Sequence, residues 1–418
     1  MQIPMEPTTG TYHYPFYGKH SKEDTQPVAP QSIAASNSLS FKKNANTLDV
    51  ESNVRDGIHY ESHVGMQPPL DIRCDITWND FSSIANPLGT PPDFSSCVIK
   101  ALESAELSFT PDVEAHQMRT TLARRFGLLP ENFLCGTSVY DLIRAVAQTF
   151  QPSMVGVIAP SRHEYSLAAS TAGHQVIDLT SPSSFVAPEP DLVRMYGMDF
   201  NAAILANPSY PSSRLLPLET LKKYLQNCTW VVVDERSIEL TLDGESYIPL
   251  INEYPNLIIV RSLSESYAIS GIPISYCVAN VNTIAQVQQF YDPSAISMFT
   301  ELLAEHLLCQ RDYLQAARNV LETEIPWMQC MLNLVPGISI FPSEANYVMC
   351  EFVRDGSMDL KVAGVHELQK QLQLKGFLIT PIKNIPGLTE DRYFCVSVKT
   401  RSENEALIKA IKSVILGY

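Results

Sequence analysis

Residues 230–235 read WVVVDE, four apolar residues in succession closed by two acids. A strand with one wet face alternates polar and apolar residues, so an unbroken apolar run of this length describes a strand covered on both faces. The same signature recurs on either side, as VGVIA at 155–159, NAAILAN at 201–207 and NLIIVRS at 256–262. Segments with helical spacing, QMRTTLARRF at 117–126 and YDLIRAVAQTF at 140–150, precede these runs. Strands buried on both faces and alternating with helices predict an α/β fold with a mostly parallel sheet between helical layers. After about residue 295 long helical stretches give way to GISIFPS (337–343), ANYVMCEF (345–352), GFLITPI (376–382) and RYFCVSVK (392–399). The amphipathic SENEALIKAIKSVIL at 402–416 closes the chain, and this part reads as a smaller α+β domain.

The expected organisation is an irregular N-terminal extension at 1–68, a lead-in segment at 69–105 belonging to the small domain, the large domain at 106–295 and the small one at 296–418. The extension is rich in Ser, Pro, Thr and Asn and lacks any sustained period, but its tip, YHYPFYGKH at 12–20, is aromatic enough to dock on a protein partner. With 418 residues and 45% apolar content the chain can bury sizeable cores. Its 45 acidic against 30 basic residues leave a charge of −15, which opposes nucleic acid and anionic membrane surfaces as partners. Nine scattered cysteines without a CxxC pair favour a reducing compartment, and no apolar run approaches the roughly 20 residues that span a bilayer. The reading is cytoplasmic. His59 and His63 sit four apart without further ligands at a fixed spacing, so no metal is expected.

Several segments, in order, resemble fold type I pyridoxal-phosphate aminotransferases, in the branch of histidinol-phosphate aminotransferase and threonine-phosphate decarboxylase. They are DFSSIANPLGTPP (80–92), GLLPENFLCGTSVYDLI (127–143), ILANPSYPSSRLLP (204–217), VVVDERSIEL (231–240), RSLSESYAISGIPISY (261–276), PSEANY (342–347), LITPIKNIPGL (378–388) and YFCVSVKTRSEN (393–404). The resemblance implies an aspartate-aminotransferase-like fold and a homodimer. It also implies a cofactor pocket with a defined set of residues.

The lysine that forms the Schiff base in that family falls on Glu265, and a carboxylate cannot form an imine. The phosphate-gripping arginine falls on Pro273, which removes a charge-assisted contact worth roughly 1.5–3 kcal/mol. The family's phosphate loop reads Gly-x-Gly with small residues, whereas Gly136, Thr137, Ser138 and Val139 here keep one glycine, so a turn into a helix persists. The aromatic that stacks on the cofactor ring falls on Arg162, and the oxygen-binding tyrosine on Ser237. Asp234 and Asn207 match the family, as do the hydroxyls of Ser262 and Ser264; an Asp at a strand end and an Asn beside Pro also serve as turn and capping groups. On the substrate side the carboxylate-binding arginine falls on Cys395, an arginine of the decarboxylase-like branch on Thr380, and an asparagine on Ile84. His63 and Asn86 complete the pocket candidates, and the tyrosine that reaches across the family's dimer interface falls near Thr110.

These departures together imply a non-transaminating pseudoenzyme of the aminotransferase fold, with a binding, scaffolding or regulatory role in amino-acid-related small-molecule metabolism and no covalently held cofactor. One alternative is a repurposed enzyme working with a charged constellation of Arg162, Asp234 and Glu265. Another keeps pyridoxal or pyridoxamine phosphate non-covalently, through Asp234, Asn207, Ser262 and the turn at Gly136.

Overall fold

A computed structural model describes residues 78–417 apart from 105–107, 181–184, 196, 293–295, 355, 357–359, 384, 387 and 389–391. The extension at 1–68, His59, His63 and the start of the lead-in segment lie outside the described residues.

In chain order the elements begin with β1 (Asn79–Asp80), α1 (Phe94–Ser104), α2 (His116–Phe126), β2 (Phe133–Gly136), α3 (Val139–Thr149), β3 (Met154–Ala159), α4 (His163–Thr171) and β4 (Gln175–Thr180). Next come α5 (Pro190–Met195), β5 (Ala202–Ala206), α6 (Leu218–Asn227), β6 (Trp230–Asp234), β7 (Leu257–Ser262), β8 (Ser275–Ala279), α7 (Val281–Val287) and α8 (Met298–Leu308). The chain continues with α9 (Arg311–Asn333), β9 (Ile338–Ile340), β10 (Tyr347–Phe352), α10 (Val365–Leu374), β11 (Phe377–Leu378), β12 (Thr380–Ile382), β13 (Tyr393–Ser397) and α11 (Arg401–Leu416).

The four apolar runs of the sequence become β3, β5, β6 and β7, inside a seven-stranded sheet of order β2-β8-β7-β6-β5-β3-β4. Every residue of β5, β6, β7 and β8 is buried, as strands covered on both faces require. Pairing is parallel except where β8 runs against β2 and β7. The expected α/β architecture is therefore the one observed.

A second sheet, β12-β13-β10-β9, is antiparallel throughout, and β1 pairs in parallel with β11. Each large sheet has its own apolar cluster, and α9 contributes to both. Leu314 packs with the seven-stranded sheet, whereas Ala317, Leu321, Ile325, Met328 and Leu332 pack with the four-stranded one. Helix ends follow the sequence: α2 stops at Gly127, whose φ of 68° is the left-handed conformation glycine adopts without strain. At the start of α11 the Glu403 carboxylate accepts from the Thr400 backbone N–H at 3.2 Å, closing a capping box. Among the described residues no helix is long and apolar enough to cross a membrane.

Candidate functional site

Strands β2, β3, β5, β6 and β7 all point the same way, so their C-terminal ends deliver side chains to one edge of the sheet. In open α/β sheets that edge is where ligands bind. Here it receives Gly136, Thr137 and Ser138 after β2, Arg162, Glu164 and Tyr165 after β3, and Asn207 after β5. Asp234 ends β6 with Arg236 just beyond, and Ser262, Ser264 and Glu265 follow from β7.

Asp234 is the centre of this edge, with a side chain only 2% exposed. Its Oδ1 accepts from the Arg236 backbone N–H at 2.9 Å, and its Oδ2 from Arg236 Nε at 2.7 Å and from the Tyr165 hydroxyl at 2.5 Å. Arg236 Nη2 lies 2.6 Å from the same oxygen and also pairs with Glu164 Oε1. Burial alone would push the Asp234 carboxyl up, but the Arg236 guanidinium and the hydrogen bonds outweigh it and hold the group below the usual carboxylate range. Burial and the adjacent Asp234 charge raise Tyr165 well above an ordinary tyrosine, so its hydroxyl stays a donor. Arg236 is locked between two carboxylates and remains charged: burial opposes its charge, while Asp234 and Glu164 favour it.

The expected constellation of Arg162, Asp234 and Glu265 is corrected in its cation. The guanidinium against Asp234 is that of Arg236. Arg162 instead lies over the Tyr210 ring, 4.7 Å from its centroid, and only adds a weaker field at Asp234. Glu265 does belong to the cluster, since its charge acts on Arg236. Its Oε2 is buried and has no hydrogen-bond partner.

The remaining candidates are engaged locally. Asn207 accepts from the Leu216 N–H at 3.1 Å and donates to the Glu245 carbonyl at 3.2 Å, fixing the turn after β5. Asn86 donates to the Ser266 carbonyl at 2.8 Å and accepts from the Leu88 N–H at 2.9 Å, and its own N–H donates to the Glu265 carbonyl at 2.9 Å. Ser262 donates to the Ile274 carbonyl at 3.3 Å and accepts from the Ser264 N–H at 3.0 Å. Ser138 caps α3, accepting from the Asp141 N–H. The Thr137 N–H donates to the Tyr291 hydroxyl at 3.3 Å, and a Cβ at Gly136 would collide with that hydroxyl. In this structure the surviving glycine thus makes room for Tyr291. Pro273 and Thr110 are exposed.

Where the resemblance places a substrate carboxylate, the structure packs an apolar cluster that includes Ile84, Phe185, Tyr210, Tyr347, Leu388 and Cys395. Cys395 lies opposite Thr380 across the β12–β13 ladder, and its thiol points to the Pro211 carbonyl at 3.8 Å. Burial pushes that thiol up, away from the reactive thiolate form. Thr380 donates to the Ser82 carbonyl at 3.2 Å.

Sequence reading missed Arg236, Glu164 and Tyr165. Arg236 carried a usable signal: two residues beyond a strand-ending acid, its side chain returns to the face on which that acid sits. Sequence reading also passed over Glu235, whose fully buried carboxyl accepts from Ser246 Oγ at 2.5 Å and the Tyr247 N–H at 2.6 Å. Burial pushes Glu235 up to about 7, against the pull of Arg261 and these hydrogen bonds.

Comparison with known proteins gives the same outline. The model of the family described as aminotransferase class I and II matches residues 77–411. Histidinol-phosphate aminotransferase of Ruminiclostridium cellulolyticum is 24% identical over 373 residues, covering 87% of this chain and 98% of that protein. Threonine-phosphate decarboxylase of Salmonella typhimurium is 25% identical over 345 residues, covering 81% and 91%. Among solved structures, histidinol-phosphate aminotransferase from Sinorhizobium meliloti, in complex with pyridoxal-5'-phosphate, superposes with a TM-score of 0.70 at 19% identity. That match covers 82% of this chain and 92% of the other, and it speaks for the fold.

Proposed function

Since the chain belongs to the class I and II aminotransferase family, we propose that it is a member that has left transamination and acts as a binding, scaffolding or regulatory protein on amino-acid-related small molecules. The observation that carries this reading is the closed pairing of Asp234 with Arg236 and Tyr165. In the family's chemistry a carboxylate at this place must be available to a protonated pyridine nitrogen. Here its Oδ2 already takes two charged donors from Arg236 and one hydroxyl. Pyridoxal phosphate does not fit this residue set. Glu265 offers no imine-forming amine, Pro273 no cation, the Thr137 N–H is directed to Tyr291, and apolar side chains fill the region of the carboxylate clamp. Losing several anchors together lowers affinity by a thousandfold or more at about 1.4 kcal/mol per decade.

The alternative of a repurposed enzyme draws support from one feature, the buried and unpartnered Oε2 of Glu265 beside Arg236. Such an oxygen suits a donor on a small amine-bearing ligand, with Glu265 holding or moving a proton at Oε2. A homodimer belongs to the same proposal. It is supported by the exposed apolar residues Ile99, Leu102, Phe109 and Val113, and sedimentation or light scattering of the purified chain checks it. A cytoplasmic location draws support from the eight cysteines that are free among the described residues.

The deciding experiment is an absorbance and equilibrium-binding titration with pyridoxal phosphate and pyridoxamine phosphate, before and after exhaustive dialysis. The expected outcome is a colourless protein with no saturable binding of either compound. Tight, saturable binding of either would replace this reading with that of an enzyme holding its cofactor non-covalently.

A further inference from the structure

Away from the strand-end cluster, Glu239 sits in the turn Ile238–Leu240 with the opposite charge balance. Its Oε1 accepts from Arg261 Nη2 at 2.8 Å and Arg125 Nη2 at 3.2 Å, and its Oε2 accepts from Arg318 Nη2 at 3.2 Å. Its backbone carbonyl takes Arg318 Nε at 3.0 Å, and Arg125 Nη1 donates to the Leu308 carbonyl at 2.8 Å. The Glu239 carboxyl stays below the ordinary range: burial would raise it, but Arg261, Arg125 and Arg318 together outweigh that.

Beside these groups lies a groove of about 250 Å³ lined by Arg125, Glu239, Arg311, Leu314, Gln315 and Arg318. Arg311, Leu314, Gln315 and Arg318 are spaced i, i+3, i+4, i+7, so one face of α9 forms a wall, and Arg125 of α2 faces it. The charged residues that line the groove are thus three arginines and one carboxylate, in a chain whose overall charge is −15. Arg311 is the first residue of the 23-residue α9, so the helix dipole adds positive potential at that part of the groove. A guanidinium carries five N–H donors, and the bonds above use two nitrogens on Arg125 and two on Arg318. An enclosed space of about 10 Å³ behind, lined by Arg261, Ser266 and Tyr267, has room for no more than a single water, so a ligand belongs in the outer groove.

We propose that this groove is an anion site for a small phosphate-bearing molecule, gripped by Arg125, Arg311 and Arg318. Guanidiniums converging from two helices match the several oxygens of a phosphate better than the two of one carboxylate, and Glu239 holds two of the three arginines in place without neutralising them. The site is independent of whether the strand-end edge binds a cofactor.

The test is calorimetric titration of the full chain with inorganic phosphate and, separately, with O-phosphoserine, at constant ionic strength set with chloride. Saturable binding of at least one probe is expected, weakened about tenfold or more in the doubly substituted Arg311→Gln/Arg318→Gln protein. Arg311→Gln alone, at an exposed position, should weaken it severalfold while leaving the thermal midpoint unchanged. Equal binding of both probes would identify the phosphate group as what is recognised, and preference for O-phosphoserine would add a contact to the ester. Absence of saturable binding by either probe would overturn the proposal. So would binding undiminished in the double variant, which would place the phosphate elsewhere.

Discussion

Two arginine–carboxylate clusters sit five residues apart in the chain and solve opposite problems. At Asp234 one guanidinium, Arg236, lies between two carboxylates, so the cation is fully claimed and the cluster closes on itself. At Glu239 one carboxylate is shared among Arg125, Arg261 and Arg318, so positive charge is left over and faces a groove. The difference teaches that a buried ion pair is not informative as such. What matters is which charge is in excess and whether the excess reaches space a ligand can enter.

The largest effects are expected on removing the minority charge of each cluster. Glu239→Gln takes from three guanidiniums the carboxylate they share, one of them, Arg261, having a side chain only 4% exposed. The expected loss is about 3–5 kcal/mol of unfolding free energy in a urea titration. Arg236→Met strands Asp234 and Glu164 and should cost about 2–4 kcal/mol. The double variant Asp234→Asn/Arg236→Met should lose clearly less than the two single variants summed, because the pair is coupled.

Acid dependence sharpens the second case. The folded-state pKa of Asp234 is depressed, so its stabilising contribution is present above the unfolded-state value and is lost as pH falls through the folded one. The advantage of the native protein over Arg236→Met should therefore shrink on acidification below the usual carboxylate range.

The neighbouring Glu235 behaves with the opposite sign. Its pKa is raised to about 7, so the folded state holds a proton that the unfolded state has released between the ordinary glutamate range and about 7. Relative to Glu235→Gln, the native protein should lose stability as pH rises across that window, by on the order of 3 kcal/mol. A flat difference in unfolding free energy between pH 5 and 7.5 would contradict this. The smallest effect is expected at Glu265. One of its carboxylate oxygens has no hydrogen bond to lose, so Glu265→Gln should shift stability by less than about 1 kcal/mol.

The fold was legible because strands covered on both faces leave unbroken apolar runs, and VGVIA, NAAILAN, WVVVDE and NLIIVRS became the four strands β3, β5, β6 and β7. Placing Asp234, Asn207 and Glu265 at one edge was legible for a related reason, since parallel strands end on the same side. The partner of Asp234 was not, because a charge pairing past a strand end depends on rotamers and on a third residue, Glu164, brought in from the first turn of α4. The apolar cluster at the substrate side was less legible still. Ile84, Phe185, Tyr210, Tyr347 and Cys395 come from five separated segments, and only the folded chain brings them into contact. Glu239 and its arginines were visible as letters but not as a group, for Arg125, Arg261 and Arg318 lie on three different elements.

On the proposed reading the strand-end edge has lost cofactor binding through many changes together and not through the lysine alone. Glu265→Lys tests it most directly: the variant is incubated with pyridoxal phosphate, reduced with borohydride, and read by peptide mass spectrometry for an adduct at position 265. No adduct is expected at that position beyond the level on surface lysines, since Arg236 still occupies Asp234 and the phosphate still lacks its cation. A stoichiometric adduct at position 265 would contradict it.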